Sequence, residues 1–354
     1  MKLEQSNVYN HLLDSITETY TVAKVKAFNN VNSILVETNW KIGQHIVEFE
    51  QNGNTKAEYG DKLLERLSKD LTLKHGKGFS LSNINRFRQF YLTYPILAMP
   101  SQELQNTENQ TIEISAIPSH QLSWSHYVEL IKIDNQLERS FYEKQAILEN
   151  WSVEELKRQK KTSLFLRMAA GKDKTEILQL AKQGQKIIKP EDIIKDTYIF
   201  EFLKIPEPYH INELDLENRL INQLQDFLLE LGKGFAFIGR QYRITLANQH
   251  HYIDLVFYHR ILKCFVLIDL KREEAGYQDV GQMNMYLGYM EAEENTEGDN
   301  PPIGIVLARS KDELQIKYAM SHTNSQLFVK KYQLYLPNEE ELRREIESVY
   351  NNEN

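Results

Sequence analysis

The most strand-like part of this chain is QHHYIDLVFYHRILKCFVLIDLKREE, residues Gln249–Glu274. It contains two apolar runs, Tyr252–Tyr258 and Lys263–Leu270, and their Val, Ile, Phe and Tyr content predicts two β-strands. Each run carries one aspartate, Asp254 in the first and Asp269 in the second. A lone carboxylate in a buried strand is costly unless another group pairs with it. The sequence therefore implies a partner for both carboxylates.

The two runs predict a hairpin centred between Ile261 and Leu262, which places Asp254 directly opposite Asp269. Asp269 and Lys271 then share one strand face, about 6.6 Å apart at about 3.3 Å per residue. Facing carboxylates repel, especially when buried, and a divalent cation removes the conflict. Oxygen ligands suit Mg²⁺ or Mn²⁺, so one interpretation is a metal site at which Lys271 orients or deprotonates a water. The alternative is a salt-bridged hairpin without a metal.

Composition restricts the class of protein. A chain of 354 residues with 41% hydrophobic residues predicts about two packed domains. The single cysteine, Cys264, excludes a disulfide framework and a cysteine-based zinc site, and it is typical of a reducing compartment. The N-terminus lacks the apolar stretch of a signal peptide, and no run of 18 apolar residues occurs. We therefore expect a soluble, cytoplasmic protein without a membrane partner.

The net charge of −8 is unevenly distributed. Glu291–Asp299 and Pro337–Asn354 are strongly acidic, whereas Asp61–Tyr91 and Trp151–Lys174 each hold seven Lys or Arg against three acids. These local basic patches fit nucleic-acid binding or, alternatively, ordinary solvated helix faces.

The pattern predicts an α+β protein with two domains. Residues 1–170 are predicted to be helical, with a polar loop between Pro95 and Pro118; residues 171–190 form a connector and residues 338–354 an acidic tail. Residues 191–337 alternate helix and strand signals, which predicts a mixed sheet flanked by helices. Their first helix, Asp215–Leu231, has an apolar stripe onto which Glu217 projects, so Glu217 becomes a further candidate ligand.

Four short motifs resemble those of the PD-(D/E)XK nuclease superfamily. They are a helix glutamate (Glu217), Ile253–Asp254 in place of Pro-Asp, Asp269–Leu270–Lys271, and the segment Gln282–Tyr286, which is similar to the Gln-hydrophobic-x-x-Tyr motif of the RecB-like branch. More closely, FLLELGKGFAFIGRQYRI, DVGQMNMYLGYM and the quoted strands resemble the YhcG family. The N-terminal segments YGDKLLERLSKDL, GKGFSLSNINRFRQFYLTYP, LSWSHYVELIKI and FYEKQAILENWSVEELKRQ extend this resemblance to nearly the whole chain.

The resemblance implies a helical, winged-helix-like N-terminal domain followed by an α/β PD-(D/E)XK (restriction-endonuclease-like) domain. It also implies Mg²⁺-dependent nuclease activity, with Mn²⁺ as a substitute, and gene neighbourhoods that include restriction–modification systems. Ile253 departs from the motif proline, which carries no chemistry, and Asp269 departs from the commoner glutamate, whose longer arm reaches further.

Site roles follow from the same resemblance. Asp254 and Asp269 would bind the metal together with the Leu270 carbonyl, and Glu217 would complete the set of ligands. Lys271 would serve the attacking water. Gln282 would support the site or touch the substrate.

Two further groups of residues are candidates for nucleic-acid contact. Arg240, Arg243 and Tyr286 lie near the predicted site, although salt bridges are an equal alternative for the two arginines. Asn85, Arg88 and Gln89 would be presented by a helix that buries Ile84, Phe87 and Tyr91. Such a helix suits a major groove, and the alternative is a solvated helix face.

The sequence thus predicts a metal-dependent nuclease that hydrolyses DNA, in DNA processing, restriction or phage defence. One alternative is a catalytically silent module that binds nucleic acid or protein; retention of Asp254, Asp269 and Lys271 favours an active enzyme. A second alternative is a structure-specific or RNA-directed nuclease. The expected partners are DNA and restriction–modification or other DNA-processing proteins, and a homo-oligomer is left open.

Overall fold

The computed structural model describes residues 2–51, 60–95, 121–206, 211–321 and 326–344. Two compact units divide the chain, Met1–Leu156 and Lys157–Asn354. The loop predicted over residues 96–118 and residues 345–354 of the predicted acidic tail lie outside the described residues. Across the described ranges, no helix combines the length and the apolar character that a membrane span requires.

The described part of the first unit is helical. Its helices are α1 (Lys2–Gln51), α2 (Gly60–His75), α3 (Leu81–Thr93), α4 (Trp124–Leu130), α5 (Gln136–Glu149) and α6 (Val153–Lys161), the last of which spans the unit boundary. The predicted helical N-terminal region is confirmed. The described residues of this unit include no strand, so the wing of a winged-helix domain stays a prediction.

Helix α3 is the centre of the first unit. Its inner face buries Ile84, Phe87 and Phe90 completely, while Tyr91, predicted to share that face, is half-buried against Trp40. Helix α1 approaches α3 closely at Gly43, where a Cβ atom would collide with the backbone carbonyl of Phe87. The outer face of α3 is therefore the face on which Asn85, Arg88 and Gln89 lie.

The second unit contains one mixed sheet and the helices that flank it. Its helices are α7 (Leu164–Ala169), α8 (Lys174–Gln183), α9 (Glu213–Asn222), α10 (Leu224–Leu231), α11 (Tyr277–Tyr289) and α12 (Glu313–Met320). Its strands are β1 (Thr197–Ile199), β2 (Phe235–Leu246), β3 (Gln249–His259), β4 (Cys264–Ala275), β5 (Ile303–Lys311) and β6 (Gln326–Gln333). The order is β1-β6-β5-β4-β3-β2, antiparallel from β2 to β4 and parallel in the other pairs. The predicted mixed sheet is confirmed.

The two faces of the sheet have separate apolar cores. Because side chains alternate along a strand, Ile268 and Leu270 face one core and Leu267 faces the other. The first core includes Leu220 of α9 and Phe227 of α10, and the second includes residues of α11. Strand β4 is therefore buried on both faces.

The central hairpin has the predicted register. Leu255 pairs with Ile268 and His259 pairs with Cys264, which is the pairing expected for a centre between Ile261 and Leu262. The helix predicted over Asp215–Leu231 is divided in two, because the backbone at Gln223 leaves the helical region with φ −118° and ψ 40°. This break separates the helix that carries Glu217 from the helix that carries Glu230.

Candidate active site

Strands β3 and β4 separate at the two aspartates. Their pairing ends at Leu255 and Ile268, although β3 begins six residues earlier at Gln249 and β4 continues to Ala275. Asp254 and Asp269 occupy the first position beyond the last pair. There the Asp254 Oδ2 atom accepts a hydrogen bond of 2.8 Å from the Leu270 backbone N–H, where a paired strand would offer a backbone carbonyl. The predicted pair thus lies at the start of a gap in the sheet.

Asp269 and Lys271 are side by side, as the strand alternation predicted. Asp269 is 3% exposed, and its Oδ2 atom lies 2.9 Å from the Lys271 Nζ atom. The contact is an ion pair, and Oδ2 is buried without a hydrogen bond. The Lys271 ammonium also lies 3.5 Å from Asp279 Oδ1, a neighbour that the sequence analysis missed. The other carboxylate oxygen of Asp279, Oδ2, accepts a hydrogen bond from the Gly276 N–H, so Asp279 also caps the start of helix α11.

Glu217 reaches the same gap from helix α9. This helix begins after Asn212, whose side chain caps the Asp215 N–H, and it buries Glu217 to 1% exposure beside Leu216 and Leu220. The Oε1 atom of Glu217 accepts no hydrogen bond and lies 3.9 Å from the Arg240 Nε atom. Glu217 is therefore a buried carboxylate with one oxygen that accepts no hydrogen bond.

Gln241 joins Glu217 to Asp254, and sequence reasoning missed it. Its Nε2 atom donates to Glu217 Oε2 at 2.5 Å and to Asp254 Oδ1 at 3.2 Å. No periodicity of the sequence marks this position, because Gln241 faces the gap only through a local distortion of strand β2.

At the gap, burial outweighs the attraction of the nearby positive charge, and the pKa of both aspartates is raised. Burial, and then the charge of Asp254, raise the pKa of Asp269 to about 7. Burial also raises the pKa of Asp254, in spite of the Leu270 hydrogen bond. For Lys271, burial alone would lower the pKa, but the attraction of Asp269 and Asp279 raises it overall. The carboxylates therefore retain a proton to unusually high pH, while the ammonium stays charged.

Gln282 and Tyr286 lie next to the gap on helix α11. The Gln282 Nε2 atom donates to the Tyr286 hydroxyl at 2.5 Å, and this hydroxyl donates to the Tyr252 carbonyl at 3.0 Å. Tyr286 is 1% exposed, and burial raises its pKa. These hydrogen bonds connect helix α11 to strand β3. A contact between the Tyr286 hydroxyl and nucleic acid would require at least one of them to break.

The other predicted nucleic-acid contacts differ in how they are bonded. Arg240 donates to Asn218 Oδ1 at 2.6 Å beside the gap, and Arg243 is exposed on the same strand. Arg88 forms two hydrogen bonds with the Glu50 carboxylate, of 3.0 and 2.8 Å. Asn85 donates to the Leu81 carbonyl at 2.9 Å and Gln89 donates to the Thr93 hydroxyl at 3.4 Å, both within α3.

The donor set of the gap fits a divalent cation. Within the described ranges, no three His, Cys, Asp or Glu residues form a ready-made metal-binding group. Two buried oxygens are nevertheless left without hydrogen bonds, Oε1 of Glu217 and Oδ2 of Asp269, and both belong to carboxylates around one gap. All the side-chain ligands are oxygens, the type that Mg²⁺ and Mn²⁺ prefer.

Solved structures show limited similarity to this chain. One is the crystal structure of a repair endonuclease from Pyrococcus abyssi, with 23% identity, a TM-score of 0.27, and coverage of 37% of this chain and 50% of that chain. Another is a structure of an EndoMS-dsDNA2 complex, with 17% identity, a TM-score of 0.26, and coverage of 38% and 50%. The chain thus matches about half the length of these solved proteins.

Sequence comparison covers nearly the whole chain. Residues 191–347 match the YhcG PDDEXK nuclease domain, and residues 15–167 match the DUF1016 N-terminal domain. The chain is 37% identical to "Putative nuclease YhcG" of Escherichia coli (strain K12), over 96% of this chain and 93% of that protein. The sheet, the gap and its carboxylates therefore lie in a PDDEXK nuclease domain, and the chain belongs to the YhcG family.

Proposed function

We propose that this protein is a Mg²⁺-dependent nuclease that hydrolyses DNA phosphodiester bonds. The observation that carries the proposal is the gap between β3 and β4, where Asp254 and Asp269 meet beside the charged Lys271. A buried and a half-buried carboxylate that repel one another are an unstable arrangement in the absence of a cation. A salt-bridged hairpin, the simpler interpretation, would neutralise both aspartates, yet the pKa of each is raised.

Glu217, Asp254 and Asp269 would hold the cation, with the Leu270 carbonyl as a further ligand. When bound, Mg²⁺ would stabilise negative charge on the scissile phosphate and lower the pKa of the attacking water. Binding requires deprotonated carboxylates, so the proton retained by Asp269 would leave. Mn²⁺ would substitute, because it accepts the same oxygen ligands.

Lys271 would act through its charge. Its raised pKa means that the ammonium holds its proton at neutral pH in the metal-free protein, so it is not a ready base. Its position beside Asp269 allows it to hydrogen-bond the attacking water or a phosphate oxygen and to fix the orientation of either. Gln282 would support the site through Tyr286, which it contacts directly.

Positive side chains near the gap support a nucleic-acid substrate. Arg240 and Arg243 lie on β2 next to the site, and Arg243 is exposed. Arginine is well suited to phosphate because its fork of N–H donors matches the phosphate oxygens. We propose DNA, and RNA is the alternative substrate to be tested beside it.

We further propose that the protein works in the cytoplasm with restriction–modification or other DNA-processing proteins. Its single cysteine, Cys264, is a buried free thiol, and this supports a reducing compartment.

The test is incubation of the purified protein with linear, circular and branched DNA, and with RNA, in Mg²⁺, Mn²⁺, Ca²⁺ or EDTA. We expect cleavage of DNA in Mg²⁺ and Mn²⁺ and none in EDTA, with Asp269→Asn as the inactive control. Binding of DNA without cleavage under every condition would favour the silent binding module. Cleavage of RNA alone would replace the proposed substrate.

A further inference from the structure

Gln241 lies at the point where strand β2 is distorted. It stands between the paired residues Arg240–Leu255 and Tyr242–Ile253, so it faces Asp254 across the two strands. Its φ angle is +46°, a left-handed conformation that side-chain-bearing residues seldom adopt. Such strain persists only where the surrounding structure imposes it, and it concentrates at functional sites.

The distortion aims the side chain of Gln241 into the gap. On β3, Ile253 and Leu255 are only two residues apart yet lie in different cores, and their partners on β2 are Tyr242 and Arg240. Both strands therefore exchange faces at the pair formed by Gln241 and Asp254. A regular strand would direct Gln241 into one of the apolar cores, where an amide would lack partners.

The amide satisfies two carboxylates from different elements. Gln241 donates to Glu217 on helix α9 and to Asp254 on strand β3. Both partners are acceptors, so the position requires N–H groups, and a carboxylate at this point would repel both neighbours. Among the described residues, no other side chain donates to both Glu217 and Asp254.

Gln241 also determines which oxygen of Glu217 is left without a hydrogen bond. It occupies Oε2, and Oε1 is left buried without a hydrogen bond. Asp254 has a second anchor in the Leu270 N–H, whereas Glu217 has, within the described part of the chain, no other polar contact than Arg240 at 3.9 Å. The position of Glu217 therefore depends on Gln241 more than the position of Asp254 does.

We propose that Gln241 is a positioning residue that fixes Glu217 as a ligand for the divalent cation. This inference rests on the proposed function, because it assumes a cation at the gap. Groups that hold a metal ligand in place commonly change metal affinity by about 10–100-fold when they are removed. Gln241 would act in this way through its amide, and the strained backbone would serve only to deliver that amide.

The test is a titration with Mn²⁺ followed by electron paramagnetic resonance, on the full-length protein without nucleic acid. We expect Gln241→Ala to bind Mn²⁺ about 10–100-fold more weakly than the unmodified protein. Gln241→Gly is the matched control: it also removes the amide, but it relieves the strain at φ +46°. We expect Gln241→Gly to melt at a higher temperature than Gln241→Ala in EDTA, and to bind Mn²⁺ equally weakly.

A double substitution tests whether Gln241 acts through Glu217. If it does, Glu217→Ala weakens Mn²⁺ binding, and adding Gln241→Ala to Glu217→Ala changes the affinity by less than about twofold, because coupled positions are not additive. Full Mn²⁺ affinity in Gln241→Ala, recovery of affinity in Gln241→Gly, or a further tenfold loss in the double variant would each overturn the inference. If the unmodified protein binds no Mn²⁺, the proposed function fails first and the inference with it.

Discussion

Two buried carboxylates in the second unit have opposite environments. Glu230 on helix α10 is completely buried, and so is Asp269 apart from 3% of its surface. Glu230 Oε1 accepts hydrogen bonds from Arg167 at 2.7 Å and from the Ile199 N–H at 3.0 Å. Its Oε2 atom accepts a second bond from Arg167 at 3.4 Å. Asp269, by contrast, has one cation, Lys271, beside it and a second carboxylate facing it.

The pKa shifts of the two groups go in opposite directions for this reason. Burial by itself raises the pKa of both, because it disfavours the charged form. At Glu230 the attraction of Arg167, and then of Lys195, exceeds this effect, and its pKa is lowered. At Asp269 the repulsion by Asp254 adds to burial, and its pKa rises to about 7. Burial alone therefore does not decide the direction of the pKa shift; the charges of the neighbouring groups do.

The comparison predicts first that the gap aspartates are needed for activity and not for folding. Asp254→Ala or Asp269→Ala should reduce cleavage by on the order of 10³-fold or more, because a bound cation contributes several kcal/mol to the transition state. In EDTA, each variant should melt at the same or a higher temperature, because one of two repelling charges is gone. Single-turnover rates and thermal unfolding check this. A large loss of stability in EDTA would instead support a salt-bridged hairpin.

Glu230 should show the reverse behaviour. Glu230→Ala leaves the buried Arg167 and Lys195 without their carboxylate, and breaking such a pair typically costs about 3–5 kcal/mol. Chemical unfolding in EDTA measures this loss. Mn²⁺ affinity, measured where the variant is still folded, should be unchanged. A change in metal affinity as large as the loss of stability would remove the distinction between the two carboxylates.

Lys271 separates catalysis from metal binding. Lys271→Met keeps the aliphatic stem, so the strand should pack as before, and cleavage should fall by on the order of 10²-fold. Metal affinity should not fall, because a positive neighbour of the cation has been removed. DNA binding in Ca²⁺ should change by only a few fold. Equal losses of binding and cleavage would make Lys271 a phosphate anchor.

The two carboxylates should also differ in their response to pH. In the metal-free protein, Asp269 keeps its proton up to about pH 7, whereas the unfolded chain releases it near its ordinary pKa of about 4. The folded state therefore binds more protons in this window, and stability contributed by Asp269 falls as pH rises from about 4 to 7. Asp269→Asn should remove this decline. For Glu230, whose pKa is lowered, the sign is reversed: its contribution is lost as pH falls.

The sequence predicted those parts of the site that depend on local patterns. Asp254, Asp269 and Lys271 follow from strand alternation and hairpin register, and both depend on residues close together in the chain. Glu217 followed from a charge on an apolar helical stripe. The mixed sheet and the helical N-terminal region followed from the same periodicities.

The remainder depends on contacts that no local pattern encodes. Gln241 faces the site only because β2 is distorted there, and a left-handed glutamine has no sequence signature of its own. The cations around Glu230 come from distant positions, since Arg167 is 63 residues away. Charge pairing between distant segments is decided by the tertiary fold.

The smallest expected effect concerns the phosphate contacts. Arg243 is exposed, whereas Arg88 is held by two hydrogen bonds from its Nε atom to Glu50. Each neutralised phosphate contributes about −0.9 to the slope of log K against log salt. Arg243→Ala should therefore make that slope shallower by about 0.9. Arg88→Ala should leave it nearly unchanged, because its charge is already paired in the free protein. Binding titrations in Ca²⁺ over a range of salt concentrations measure both slopes. A loss of about 0.9 in the slope of Arg88→Ala alone would show that the Glu50 pair opens on binding, and would move the main phosphate contact to helix α3.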